Sequence, residues 1–258
     1  MNLEKIMKKL KGKSAEIAVF CGSGLHGLVA LENIEKVSYK DLGFEYAEIS
    51  GHDRFLEFGE FQGKKVVIAS RFHYYEDGSP NDMYWLHRVL QKLGVKTIIA
   101  TTAVGAINES YEAGDIVLVK DHINMSGTNP FVGKLPIEFV DMTNAYDVGL
   151  RELVKKIAKS LKISIHEGTH IQSIGPSYET PAEVKFFRII GGDTVSMSLV
   201  HGNICANHLG MKFVAFASIT NKASTEKSAP ITHEEVLKNS RLVAEKLGKI
   251  IAKLIEKI

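Results

Sequence analysis

The sequence predicts an α/β fold of three layers, a central sheet, mostly parallel or mixed, sandwiched between helices, and three observations predict it. Short β-rich runs alternate with amphipathic helical stretches along the chain. Most of those runs are apolar nearly throughout, as strands covered on both faces are. Turns of glycine and small residues recur after them: Gly22-Ser23-Gly24, Thr101-Thr102-Ala103-Val104-Gly105 and Met197-Ser198. The carboxyl ends of strands are where open α/β sheets take ligands. With 258 residues, 45% of them hydrophobic, there is material for a single domain spanning residues 1–258.

In chain order, strands are expected over Glu16–Cys21, Val66–Ser70, Thr97–Thr102, Ile116–Val119, His170–Ile174, Val195–Leu199 and Phe213–Thr220, each a β-rich run bounded by polar or glycine positions. Ser79-Pro80-Asn81-Asp82 has the form of a cap with proline in the first turn, opening a helix that runs to Leu93 and is closed by Gly94. Asp147–Leu161 carries Val, Leu and Ile at helical spacing, and the polar stretch Glu35–Gly43 is not the second apolar strand that a dinucleotide-binding unit would place after the first. Pro181 opens a helix after a rigid turn. Thr232-His233-Glu234-Glu235 is a capping box that starts a final helix, with Val236, Leu237, Val243, Leu247, Ile250, Ile251 and Leu254 on one stripe. Lys120–Tyr146 is a long polar connection of the kind that often carries function.

Composition narrows the classes of partner. Lys and Arg total 32 against 30 Asp and Glu, a formal charge of +2, so no strong field draws nucleic acid or an anionic membrane. A small ligand is the expected partner. Cys21 and Cys205 stand far apart without a C-x-x-C pair, which suits free thiols in a reducing compartment. Met1–Lys11 interleaves Lys with Leu, Ile and Met rather than forming the apolar run of a signal peptide, and no stretch reaches the roughly 18 apolar residues of a membrane span. The expectation is a soluble cytoplasmic protein.

Two motifs match in letters and not in context. Gly22-Ser23-Gly24-Leu25-His26-Gly27 spells G-x-G-x-x-G after the first strand, but the helix and the second apolar strand ending in an acid do not follow. What remains is a turn that offers backbone N–H groups and the Ser23 hydroxyl to an anion. His166-Glu167-Gly168-Thr169-His170 spells H-E-x-x-H, yet Gly168 and Thr169 favour extended chain, on which the two imidazoles stand about 13 Å apart, too far to share a zinc ion. No metal is expected.

Arg71-Phe72-His73 directly follows the Val66–Ser70 strand. One arginine, one histidine, serine hydroxyls and turn amides at neighbouring strand ends form a receptacle for free phosphate, since each supplies a donor to an oxyanion. Singly, Arg71 could be a surface ion pair, His73 a core histidine and Ser23 a turn residue; their common position after strands favours phosphate. A second cluster joins Gly175-Pro176-Ser177-Tyr178-Glu179 to Thr220-Asn221-Lys222. A carboxylate and an amide at adjoining strand ends can read a flat heterocycle by its donors and acceptors, although a capped helix start and a polar turn would use the same residues.

From about Ile17 onward the sequence resembles the trimeric class of purine nucleoside phosphorylases. The resemblance rests on Gly22-Ser23-Gly24-Leu25, Gly51-His52, Arg71 through Glu76, Gly114-Asp115-Ile116, Asp121-His122-Ile123-Asn124, Gly175 through Glu183, Met197-Ser198, Thr220-Asn221-Lys222 and His233-Glu234-Glu235-Val236. It implies a phosphorylase-type sandwich and reversible cleavage of a purine ribo- or deoxyribonucleoside by phosphate, with no cofactor beyond that co-substrate. Phosphate would be held by Ser23, Arg71, His73, the Ala103 amide and Ser198, with His52 nearby. The sugar would meet Tyr75, Met197 and His233, and the base Tyr178, Glu179, Thr220 and Asn221. Asn221, Glu179 and His73 would carry the chemistry. Phe139 matches the aromatic lent to a neighbouring subunit, which implies a homotrimer.

The resemblance further implies preference for 6-oxopurines, inosine and guanosine. A methylthioadenosine or broader-specificity phosphorylase, or a nucleoside-binding homologue with weak turnover, are the alternatives. Four departures surround the expected pocket: Thr102 for the family's asparagine, His170 for tyrosine, Ser196 for glycine, and His201-Gly202 for Pro-Glu.

Overall fold

The computed structural model describes residues 1–22, 25, 27–44, 54–74, 81–134, 139–223 and 233–258; at positions 81, 233–237 and 241–242 it describes the backbone alone. The elements run α1 (Leu3–Lys9), β1 (Ile17–Phe20), β2 (Glu32–Ser38), α2 (Tyr39–Leu42), β3 (Phe55–Phe61), β4 (Lys64–Ala69), α3 (Asn81–Lys92) and β5 (Thr97–Ala106). They continue with β6 (Ile116–Asn124), α4 (Val148–Ser160), β7 (His166–Gln172), α5 (Pro181–Ile189), β8 (Thr194–Ser196), α6 (Val200–His208), β9 (Lys212–Lys222) and α7 (His233–Lys257). The α/β class and the alternation of strands and helices are as the sequence predicts.

Local chemistry explains the boundaries. Asp147 caps α4 by accepting from the Leu150 N–H, and Thr180 with Glu183 closes a full capping box around Pro181 at the start of α5. Gly94, at φ +97°, ends α3 as expected. The box expected at Thr232 lies outside the described residues.

The strands form one mixed sheet in the order β2-β3-β4-β1-β5-β8-β7-β6-β9, and β9 also pairs with β5. The last five strands therefore close into a ring. β1 runs parallel to β4 and β5, β5 to β9, and β7 to β6 and β8, whereas β2, β3 and the β5–β8 and β6–β9 pairs are antiparallel.

Alternate residues of the buried strands point to opposite layers, as a period of two requires. Ala18 and Phe20 of β1 join Leu86, Val89 and Leu90 of α3 and Cys205 of α6 in one apolar cluster. Ile17 and Val19 face Leu150, Val154 and Ile157 of α4 and the Val243, Leu247, Ile250, Ile251 and Leu254 stripe of α7.

Several expectations need correction. Val195–Leu199 is not one strand: β8 ends at Ser196, and Leu199 becomes the cap of α6, a helix the sequence pattern missed. The His170–Ile174 strand begins earlier, at His166, and stops at Gln172. The first residues of the Lys120–Tyr146 connection extend β6 to Asn124, and β5 runs past Thr102 to Ala106. Glu35–Gly43 is the end of β2 followed by α2. As an edge strand exposed along most of its length, β2 shows no apolar run to read.

Candidate active site

A break in strand pairing positions the site. Along one edge of β5, pairing with β1 covers Thr97–Ala100 and pairing with β8 begins at Gly105. Between them, residues 101–104 have no strand on that side among the described residues, while the other edge keeps its partner β9. The chain leaving β1 fits into this break only as glycine: a Cβ on Gly22 would lie 2.8 Å from the Thr101 carbonyl oxygen. The Gly22 N–H donates instead to Thr101 Oγ1 at 2.9 Å.

Arg71, just beyond β4, reaches the same break and is only 6% exposed. Its Nη1 donates to Ser198 Oγ at 3.0 Å and its Nη2 to the Thr101 carbonyl at 2.9 Å. A guanidinium held beside a hydroxyl at a strand end is a set of donors suited to an oxyanion. Ala103 lies within the unpaired edge, and half-buried His73 follows two residues after Arg71. Arg71 and Ser198 thus meet beside the stretch of β5 that contains Ala103. Ser23 and His52 lie outside the described residues.

Behind Ser198 is a polar network the sequence did not foretell. Thr102 Oγ1 lies 3.2 Å from Ser196 Oγ and 3.4 Å from Ser198 Oγ. His170, fully buried, places Nδ1 3.0 Å from Thr194 Oγ1 and Nε2 3.3 Å from the Ser198 carbonyl. Ser196 Oγ also lies 3.2 Å from Nε2, so that nitrogen meets both a hydroxyl and a carbonyl, and with the proton on Nε2 the ring donates to the Ser198 carbonyl. Burial, reinforced by the charges of His122 and Arg71, lowers its pKa to about 3, so the ring is neutral. Three of the four departures, Thr102, Ser196 and His170, are thus linked in a row through the Ser196 hydroxyl.

The base-side candidates sit on the segment between β7 and α5, for Tyr178 and Glu179, and on the end of β9, for Thr220 and Asn221. In the β5–β9 ladder Val104 faces Ile219 and Gly105 faces Asn221, so Thr220 is an inserted residue, a bulge of the kind that re-aims a side chain. Thr220 Oγ1 lies 2.8 Å from Asn221 Oδ1, and Asn221 Nδ2 donates to the Lys222 carbonyl at 2.8 Å. Glu179 accepts at Oε1 from the Ser173 hydroxyl, 2.6 Å away, a bond that orients the carboxylate. Tyr178 beside it is 40% exposed.

Met197 links the two halves. It is one residue from Ser198, and it packs against Gly175, where a Cβ would fall 2.4 Å from its sulfur. Gly175 also has φ +71°, so both space and backbone conformation call for glycine there.

Of the remaining sugar-side candidates, Tyr75 lies outside the described residues, and His233 is described only as the first backbone position of α7. Phe139 is 97% exposed. The H-E-x-x-H residues lie on extended β7 as expected, with His166 paired to Asp115 at 3.4 Å and His170 buried. No group of three or more metal-ligating side chains occurs among the described residues. Sequence reasoning missed Ser173 and Gln172. The available signal was two polar residues, His170 and Gln172, at strand spacing in a segment otherwise read as covered on both faces.

Comparison with known proteins agrees with this geometry. The model of the phosphorylase superfamily matches residues 16–256. Purine nucleoside phosphorylase 1 of Bacillus subtilis is 40% identical over 254 residues, covering 95% of this chain and 92% of that protein. A solved structure of Schistosoma mansoni purine nucleoside phosphorylase with inosine superposes with a TM-score of 0.91 at 33% identity, covering 100% of this chain and 97% of the other. The same enzyme with adenosine gives 0.92 at 33% identity with the same coverage. The chain therefore belongs to the phosphorylase superfamily and, within it, to the purine nucleoside phosphorylases.

Proposed function

We propose that the protein catalyses reversible phosphorolysis of 6-oxopurine nucleosides, inosine and guanosine, to the free base and pentose 1-phosphate. The observation that carries this reading is the buried Arg71 guanidinium bonded to Ser198 Oγ at the unpaired edge of β5. Free phosphate is the co-substrate whose charge matches it, and the proposed reaction calls for no metal or organic cofactor.

Breaking the C1′–N9 bond leaves positive charge on the sugar and negative charge on the purine, so both ends need stabilisation in the transition state. Phosphate on Arg71, Ser198, Ser23, His73 and the Ala103 amide stabilises the sugar cation and attacks C1′. Holding it there replaces a bimolecular encounter and can lower the barrier by about 7 kcal/mol or more. Asn221 donates to the purine near N7 and O6 as the base departs. Glu179, with Oε1 held by Ser173, accepts from the N1–H of a 6-oxopurine. Adenine presents a lone pair at N1, and a site built to bond a missing hydrogen discriminates by about 10⁴-fold or more.

Tyr75, Met197 and His233 would line the sugar, and Tyr178 and Thr220 the base. Phe139 supports a homotrimer, since an aromatic ring exposed to this degree is what a neighbouring subunit would cover. Buried thiols at Cys21 and Cys205, neither in a disulfide, fit the cytoplasm. No described helix is long and apolar enough to cross a membrane.

The test is hypoxanthine release from inosine with and without phosphate, beside guanosine, adenosine and methylthioadenosine. The adenosine complex of the Schistosoma mansoni relative is the reason to include adenosine. Strict dependence on phosphate with inosine and guanosine well ahead supports the proposal. Equal turnover of adenosine removes the base preference, and turnover without phosphate removes the reaction.

A further inference from the structure

We propose that His170 and Gln172, two buried polar side chains of β7, are positioning residues for the phosphate subsite: together they hold the Ser198–Val200 turn in the conformation that presents the Ser198 hydroxyl to Arg71. This inference rests on the proposed phosphorolysis.

It starts from Leu199. This residue has φ 102° and ψ −54°, in a region that branched side chains rarely adopt. Nothing in its own chemistry favours that conformation, since it is neither glycine nor asparagine, so the surroundings must impose it. Leu199 also caps α6 without any side-chain bond of its own.

Both peptide groups that flank the Leu199 Cα are bonded by side chains from β7. The carbonyl before it, of Ser198, meets His170 Nε2 at 3.3 Å and also accepts from Ser196 Oγ at 3.2 Å, and Ser196 Oγ in turn lies 3.2 Å from the same His170 nitrogen. The N–H after it, of Val200, donates to Gln172 Oε1 at 2.6 Å. That second bond supplies the cap that Leu199 lacks. Holding these two groups restrains the dihedrals between them, which are the unusual ones.

The two side chains are themselves fixed. His170 and Gln172 are two residues apart on one strand, so they project from the same face, and their exposures are 0% and 1%. His170 Nδ1 is hydrogen-bonded to Thr194 Oγ1 at 3.0 Å, while Gln172 Nε2 donates to His201 Nδ1 at 3.3 Å. Ser126 Oγ lies 2.9 Å from the other nitrogen of His201. The far end of the chain of contacts is Ser198 Oγ on Arg71 Nη1. Neither β7 side chain bonds Arg71, so their influence on phosphate passes through Ser198.

The experiment measures steady-state rates with inorganic phosphate and inosine varied separately, in the unmutated protein and in His170→Phe, Gln172→Met and His170→Gln. The phosphate KM should rise about tenfold to a hundredfold in His170→Phe and Gln172→Met, as expected for a misaimed binding group. The inosine KM should stay within about threefold. His170→Gln, whose amide N–H can still donate to the Ser198 carbonyl, should recover part of the loss. A purely structural role would lower the melting temperature and the active fraction while leaving the phosphate KM alone. An unchanged phosphate KM in both variants, or failure of every variant to fold, overturns the proposal. If the unmutated protein shows no saturation by phosphate, the phosphorolysis reading has failed first, a result distinct from an unshifted variant.

Discussion

Asn221 is aimed by one inserted residue and Glu179 by one hydroxyl, and each arrangement makes a prediction. The bulge at Thr220 puts Asn221 opposite Gly105, with Nδ2 3.5 Å from where a Cβ on that glycine would stand. If the Asn221 amide stabilises the departing purine, Asn221→Ala should lower kcat for inosine by about 10²–10³ with little change in KM, as loss of one donor to developing charge does. An unchanged kcat would remove Asn221 from the mechanism. Ser173 gives Glu179 a 2.6 Å hydrogen bond, and bonds to charged groups contribute about 1.5–3 kcal/mol. Ser173→Ala should therefore reduce kcat/KM for inosine roughly tenfold and affect adenosine less, narrowing the ratio between them. A ratio that stays constant would show that Ser173 does not orient the carboxylate used for base choice.

At the scale of elements, the turn after β7 shows how packing and backbone combine. Gly175→Ala must accommodate a methyl group 2.4 Å from the Met197 sulfur at a left-handed position. Folding stability should fall by about 1–3 kcal/mol, and KM for the nucleoside should rise as Met197 is displaced. Denaturant titration and initial rates check both, and a variant of unchanged stability would contradict the close contact. The same region shows which parts of the protein were legible from sequence. Strands covered on both faces, such as β1 and β9, carry their apolar pattern openly, and α4 and α5 are flagged by Asp147 and by Thr180-Pro181. α6 was missed because it is buried almost all round, leaving no polar stripe, and because its cap is a leucine completed by Gln172 of β7, far back in the chain. Arg71 and Ser198 could be proposed from their position after strands, but the interlocking of Thr102, His170 and Ser196 joins three separate segments of chain and is visible only once they are folded together.

For the whole molecule, buried histidines govern acid stability. Burial lowers the pKa of His170 to about 3 and those of His87 and His201 to about 4, against an ordinary 6.5. Above pH 6.5 both folded and unfolded chains hold these rings neutral. As the pH falls below 6.5, the unfolded chain takes up protons that the folded one refuses, so stability is lost progressively down to about pH 4. Each such group contributes up to about 1.4 kcal/mol per pH unit within that window. His87 offers a clean test, since its ring stacks on Phe20 and its Nε2 has no hydrogen-bond partner among the described residues. His87→Phe should keep the stacking and flatten the fall in melting temperature between pH 6.5 and 4; an equally steep fall would acquit His87. The ring formed by β5, β8, β7, β6 and β9 has a different consequence. Among the described residues the open end of the sheet is the outer edge of β2, studded with Glu32, Glu35 and Lys36. Charged side chains along such an edge make it a poor template for a strand from another copy of the chain.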